Sequence, residues 1–182
     1  NNFIGDFVKK LYIGKNVKYI QCLVQKEVEG KAPFVDFNAE ELSYDDNIVS
    51  ALLDCSSNTT IRIGKNVKYI PEDFLANSKA NIVYFEQNCI CSYFSHDSFR
   101  ESEVNILVIP ASISEFDKWG SFAFTKIKNV YYEGDSMSDF YKIKNSDYSS
   151  NKNLYDATFY FYSETYKSGA WHYDENGLPV LW

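Results

Sequence analysis

Ile13-Gly14-Lys15-Asn16-Val17-Lys18-Tyr19-Ile20 recurs letter for letter at Ile63-Gly64-Lys65-Asn66-Val67-Lys68-Tyr69-Ile70. Eight identical residues in one order do not recur by chance in a 182-residue chain, so the first inference is internal duplication. Fainter copies follow. The skeleton Ile61-x-Ile63, then Val67 and Ile70, returns as Leu11-x-Ile13 with Val17 and Ile20, and as Leu107-x-Ile109 with Ile113 and Phe116. Weaker strand-like copies stand at Val35-x-Phe37, Val83-x-Phe85 and Val130-x-Tyr132.

The first apolar position therefore moves through residues 11, 35, 61, 83, 107 and 130, in steps of 24, 26, 22, 24 and 23. Three positions upstream lie Val8, Ala32, Asn58, Ala80, Val104 and Ile127, with Asn58 the polar exception. That spacing matches the leucine-rich-repeat period of roughly 20–29 residues, in which each rung is one short strand plus a turn or irregular helix. The expected fold is a leucine-rich-repeat solenoid of about six to seven rungs over residues 1–157, its strands stacked in one parallel sheet. Phe74, Phe99 and Phe122 each follow a rung's turn at a similar interval, as core rings would if every rung added one to a stack.

Two segments leave the repeat. Residues 38–57 are acidic and irregular, and the helical spacing of Ile48, Val49, Leu52 and Leu53 predicts a short amphipathic helix in an enlarged rung. Residues 134–157, rich in Ser, Asp, Asn, Lys and Tyr, predict a loop or short helix. After them, residues 158–182 are expected to form a C-terminal cap. Asn176-Gly177 between aromatic-rich runs is a strong hairpin signal, because both residues accept the positive φ of a tight turn. A solenoid must shield its last apolar rung, and Trp171 and Trp182 on a terminal hairpin would do so.

Composition narrows the function. Hydrophobic residues make up 45% of the chain, with 15 Tyr and 14 Phe, enough for a continuous core and too many for a disordered chain. The net charge is −7 with Lys and Arg scattered, which argues against nucleic acid as a partner. No apolar run approaches the ~20 residues of a membrane-spanning helix. The chain opens at Asn1 rather than Met, the expectation for a mature or truncated form.

Catalytic and metal chemistry find little support in the residue pattern. Cys22, Cys55, Cys89 and Cys91 contain no Cys-x-x-Cys pair and only His96 and His172 could complete a metal set, so buried thiols are expected and no metal or cofactor. Ser95-His96-Asp97-Ser98 places a hydroxyl, a base and an acid in a row, but triads are assembled from distant positions. Carboxylate pairs such as Glu40-Glu41, Asp45-Asp46 and Glu101/Glu103 read as surface charge, and no phosphate loop or nucleophile elbow is present.

The strand pattern points instead to a surface. In a Leu-x-Ile strand the middle residue faces outward, because side chains alternate with period two. The outward residues, rung by rung, are Tyr12, Asp36, Arg62, Tyr84, Val108 and Tyr131, with Tyr160 in the cap. The adjacent row is Lys10, Phe34, Thr60, Ile82, Ile106 and Asn129. A contiguous patch of Tyr, Ile, Phe and Arg on a solvated sheet face suggests a binding surface, although strands favour such residues for ladder stability alone. Tyr12, Phe34, Arg62, Ile82, Tyr84, Ile106 and Tyr131 are the candidate ligand-binding residues, for a protein or possibly a glycan stacked on the exposed rings.

The strings Ile63–Pro71, Ile109–Phe116 and Ile127–Gly134 resemble repeats of the BspA-type leucine-rich family, and Phe159–Trp182 resembles the segment that ends many of its bacterial members. The resemblance covers most of residues 60–182. It implies an extracellular or surface-attached bacterial protein that binds host or neighbouring macromolecules and carries no catalytic residues. A carbohydrate-binding module and a purely structural spacer are the alternatives. The irregular 38–57 segment and the Gly that replaces Pro after two strands, at Gly14 and Gly64, depart from the family pattern.

Overall fold

The period-two alternation of the repeat is what builds the fold. The structure, a computed structural model, describes residues 10–18, 23–24, 34–42, 53–147 and 149–182. Its chain winds as a parallel β-solenoid with little helix and about four regular turns. One long face is a seven-stranded parallel sheet formed by β1 (Lys10–Ile13), β3 (Phe34–Phe37), β5 (Thr60–Ile63), β7 (Lys79–Phe85), β9 (Glu103–Ile109), β11 (Lys126–Tyr132) and β12 (Thr158–Phe161), in that order. Shorter strands make the second face: β6 (Tyr69–Ile70), β8 (Tyr93–Phe94) and β10 (Glu115–Phe116) pair in parallel, and β2 (Leu23–Val24) pairs with β4 (Leu53–Asp54).

The register is the one the repeat dictates. Leu11, Val35, Ile61, Val83, Leu107 and Val130 stand opposite one another in successive strands, and Phe159 continues the column. From Val35 to Val130 these side chains are completely buried. Each such side chain stabilises the fold by about 1.5–3 kcal/mol relative to an exposed position, so the column is the main cohesive element between rungs. The second inward row, Ile63, Phe85 and Ile109, is buried as fully.

Phenylalanines fill the space between the two faces. Phe74, Phe99 and Phe122 stack with ring centroids 6.0 and 5.4 Å apart, and Phe94 touches Phe85, Phe99, Phe116 and Phe122 at 5.5–6.0 Å. The connecting turns are equally periodic. Leu75 donates its N–H to Ser98 O and Phe99 donates to Ser121 O, both at 2.8 Å, so the ladder continues around the corner. Each turn also carries two left-handed residues: Asp73 and Asn77, then Asp97 and Glu101, then Gly120 and Phe124. Asp and Asn tolerate that conformation and Gly prefers it, whereas Phe124 gains nothing from it.

Differences from the sequence expectations have local causes. The regular coil is shorter than the six to seven rungs expected, because β12 feeds the terminal segment and not another turn, and much of the turns after β1 and β3 lies outside the described residues. The helix expected through Ile48, Val49, Leu52 and Leu53 does not reach Leu53, which is in β4; the other three lie outside the described residues. Residues 134–157 do contain a short helix, α1 (Met137–Phe140), and a 3₁₀ turn (Lys152–Asp156). Ser136 caps α1 by accepting the Asp139 N–H, and buried Phe140 seats against Phe116, Tyr132 and Phe159. Asn151, fully buried, donates to Asp117 O and Asn145 O and accepts the Ser121 N–H, which ties this segment to the last regular turn.

The cap differs more. Residues 158–161 are a strand of the main sheet, and the hairpin is β13 (Trp171–Tyr173) with β14 (Pro179–Leu181) alone. Its connection is a five-residue loop in which Asp174 Oδ1 accepts the N–H groups of Asn176 and Leu178, each at 2.8 Å, and Gly177 takes φ +75°. The hairpin lies across the outward face of the sheet. Trp171 is completely buried there, donates Nε1–H to Tyr132 O at 3.0 Å, and packs on Tyr131, Tyr162 and Tyr173 at ring distances of 5.1–5.5 Å. Trp182 stays partly exposed, stacked on His172 at 3.7 Å.

Candidate functional site

The hairpin divides the outward row in two. Tyr84 and Tyr131, expected to face solvent, are only 4% and 5% exposed, and Val108 is completely buried. The alternation argument places them on the correct face, but that face is covered because Trp171 and Tyr173 need an apolar seat. Tyr131 therefore serves as core, its ring held between Tyr160 and Trp171. Burial raises the phenol pKa of both Tyr84 and Tyr131.

The N-terminal half of the row is organised by charge. Asp36 is buried, takes the Arg62 guanidinium at 3.0 and 3.3 Å and the Asn38 amide at 2.9 Å, and has Lys10 at 3.5 Å. Burial alone would raise its pKa; the Asn38 and Arg62 hydrogen bonds outweigh it and hold the carboxyl below its ordinary value. Arg62, a candidate ligand residue, thus spends two of its donors inside the protein. Tyr12, 64% exposed, projects beyond this cluster. In the adjacent row Phe34, Thr60, Ile82 and Ile106 are paired strand to strand and each is partly exposed, forming a mixed apolar strip.

Between the hairpin and the strand ends runs a groove that the sequence reading did not anticipate. One end is a cleft of about 400 Å³, where Arg62, Lys65, Tyr84 and Glu86 face the hairpin tip at Asn176-Gly177. The other is a hollow of about 300 Å³ lined by Glu133, Glu164, Tyr162, Tyr173 and Ser112. Gln87 and Asn88 line both. Glu86 and Glu133 occupy the same place in their rungs, directly after the strand, and each accepts a backbone N–H from the preceding rung: Lys65 to Glu86 at 3.2 Å and Ala111 to Glu133 at 3.0 Å. Tyr173 pins the hairpin over the groove: its hydroxyl donates to Glu133 Oε1 at 2.5 Å and lies 3.2 Å from Phe85 O. Its phenol pKa is driven far up by burial and by the Glu133 charge. The shared signal in the sequence was the acidic residue after Phe85 and Tyr132; nothing in it shows that a distant hairpin closes over both.

The remaining candidates fall elsewhere. His96 sits 3.2 Å from Glu72 and 3.6 Å from Asp97, while buried Ser98 donates its hydroxyl to Ser95 O, so the Ser-His-Asp-Ser string does not assemble a nucleophile with its base. Cys55, Cys89 and Cys91 are buried, and burial pushes the Cys89 and Cys91 thiols up, away from the reactive thiolate; Cys22 lies outside the described residues. Among the described residues no three His, Cys, Asp or Glu side chains converge as a metal site, and no helix is long and apolar enough to cross a membrane. No protein-family model, curated protein or solved structure matches this chain.

Proposed function

We propose that this chain is a non-enzymatic repeat protein of the BspA-like leucine-rich type, secreted or displayed at a cell surface, that binds another protein along its strand-bearing face. The observation that supports this reading is the division of that face. The hairpin covers Tyr84, Val108 and Tyr131 but leaves the strip of Phe34, Ile82 and Ile106, with Tyr12 and Arg62 beside it, partly open and next to the groove. Aromatic, aliphatic and Arg side chains held by a rigid ladder lose little entropy on binding, the condition under which a modest surface gives useful affinity.

The test is capture. The immobilised chain is offered to extracellular-matrix proteins and, in parallel, to a glycan array, together with an Ile82→Thr/Ile106→Thr variant that keeps β-branching at both positions. Protein capture that weakens at least about tenfold in a folded variant supports the reading, on the scale of losing two interface anchors. Glycan capture alone moves the function to carbohydrate recognition, and silence in both arms leaves the spacer.

A further inference from the structure

The groove beside the hairpin has two poles, and its acidic pole has the composition of a cation receptor. Neither Glu133 nor Glu164 has an ion-pair partner within 4 Å among the described residues, whereas Glu103 and Glu115 are each bridged by Lys. The two donors that Glu133 does accept, the Ala111 N–H and the Tyr173 hydroxyl, are neutral, so they orient the carboxylate without cancelling its charge. Tyr162 and Tyr173 border the same hollow with ring centroids 6.2 Å apart, and Trp171 at 5.2 and 5.1 Å fixes both. One held carboxylate, a second beside it and aromatic rings around one hollow attract a guanidinium or ammonium group through charge-assisted hydrogen bonds and the ring quadrupoles. An anion would be repelled there, and an apolar group would strip water from the carboxylates with no return.

The opposite pole carries Arg62 and Lys65 around Glu86. From β11, which ends beside Glu133, to β5, which ends beside Lys65, the order β5-β7-β9-β11 spans three strand spacings. That is about 14 Å at ~4.8 Å each, the reach of about four residues of extended peptide.

We propose that the groove binds an extended peptide segment with a basic residue, Arg or Lys, in the Glu133/Glu164 hollow and an acidic residue about four positions away at Lys65. This rests on the protein-binding reading above and specifies the partner's chemistry. Gln87 and Asn88, lining both poles, supply the amide groups that the intervening peptide backbone requires.

The probe is the peptide acetyl-Asp-Gly-Ser-Gly-Arg-amide, titrated calorimetrically into the full chain, beside analogues with citrulline for Arg or Asn for Asp. Citrulline keeps the shape of Arg and removes its charge. The expected result is binding of the parent peptide, a loss of about tenfold or more with citrulline, and a smaller loss with Asn. Glu164→Gln, at an exposed position, should remove the preference for Arg over citrulline, and Lys65→Ala the preference for Asp over Asn. Added salt should weaken the parent peptide and leave the doubly neutral analogue unchanged. Equal binding of Arg and citrulline peptides, no binding of the parent at millimolar concentration, or an unaltered preference in Glu164→Gln each overturns the proposal. Protein capture that is identical for wild type and Glu164→Gln would sink the groove proposal while leaving the strand-face reading intact; peptide binding without any captured protein would do the reverse.

Discussion

Gly14 and Gly64 sit in identical octapeptides, yet the structure predicts opposite responses to the same substitution. Among the described residues, a Cβ added at Gly14 meets only Tyr12 Cε1, at 3.7 Å, ordinary van der Waals contact. A Cβ added at Gly64 stands 2.9 Å from Asn38 Cγ and closer still to Asn38 Oδ1, so Asn38 must move. Asn38 is not a free surface rotor: its amide donates to buried Asp36 at 2.9 Å. Displacing it forfeits a hydrogen bond to a charged group, about 1.5–3 kcal/mol, and residual crowding adds about 1 kcal/mol. Against this, replacing Gly by Ala stabilises by about 0.4–1 kcal/mol through the unfolded chain. Gly64→Ala should therefore lose about 2 kcal/mol, whereas Gly14→Ala should be neutral or gain up to about 1 kcal/mol. Urea unfolding followed by circular dichroism measures both, with Asn38→Ala and the Asn38→Ala/Gly64→Ala double variant closing a cycle. In the Asn38→Ala background Gly64→Ala should cost almost nothing. Equal midpoints for the two Gly variants, or a full cost for Gly64→Ala without Asn38, would refute the reasoning.

Three further outcomes follow from the same structure. Trp171→Ala should destabilise by about 3–5 kcal/mol, the range for emptying a buried Trp site, and should raise binding of a hydrophobic dye as Tyr84, Val108 and Tyr131 lose their cover; an unchanged melting temperature would make the hairpin an appendage. Phe124→Asn should raise the melting temperature by about 2–4 °C, because Phe124 holds φ +56° with a ring 74% exposed while Asn77 occupies the equivalent place at +54° without strain. Asp36, whose folded pKa is lowered, contributes stability that is present above pH ~4 and is lost as pH falls through its folded value. Arg62→Met should thus cost about 3 kcal/mol at pH 7 by leaving that buried carboxylate short of a partner, and progressively less as acid neutralises it; a pH-independent cost would show that Arg62 acts through packing alone.

The strand register was legible because it depends on local alternation repeated at a nearly constant period. Ile61, Val83, Leu107 and Val130 need no knowledge of the rest of the chain to be assigned inward, and they are stacked as assigned. The Phe74, Phe99 and Phe122 stack was legible for the same reason. The outward face was legible as a face but not as a surface, since exposure depends on what else docks there. A hairpin more than 80 residues along the chain from Tyr84 decides that, through contacts such as Tyr173 with Phe85 O. A trace of this was present in the outward row itself. It reads Tyr12, Asp36 and Arg62 at its N-terminal end, a composition water tolerates, and Val108, Tyr131 and Tyr160 at its C-terminal end, a composition water does not favour.

That gradient separates two roles that a single stripe had merged. Where the outward residues can be satisfied by charge, as at Lys10, Asp36 and Arg62, the sheet needs no cover and its neighbouring strip stays accessible. Where they are apolar, the sheet needs one, and the hairpin that supplies it must stop somewhere along the row. It stops at Tyr84, whose ring lies at the boundary and lines the cleft between Arg62 and Asn176. The groove is thus a consequence of the cover ending, and its walls are the post-strand carboxylates Glu86 and Glu133, each held by a backbone N–H of the preceding rung, with Asn88 and the hairpin tip. A longer hairpin loop that reached Arg62 would fill the cleft between Arg62 and Asn176 without altering the solenoid, so the length of residues 174–178 sets how far the groove extends toward β5.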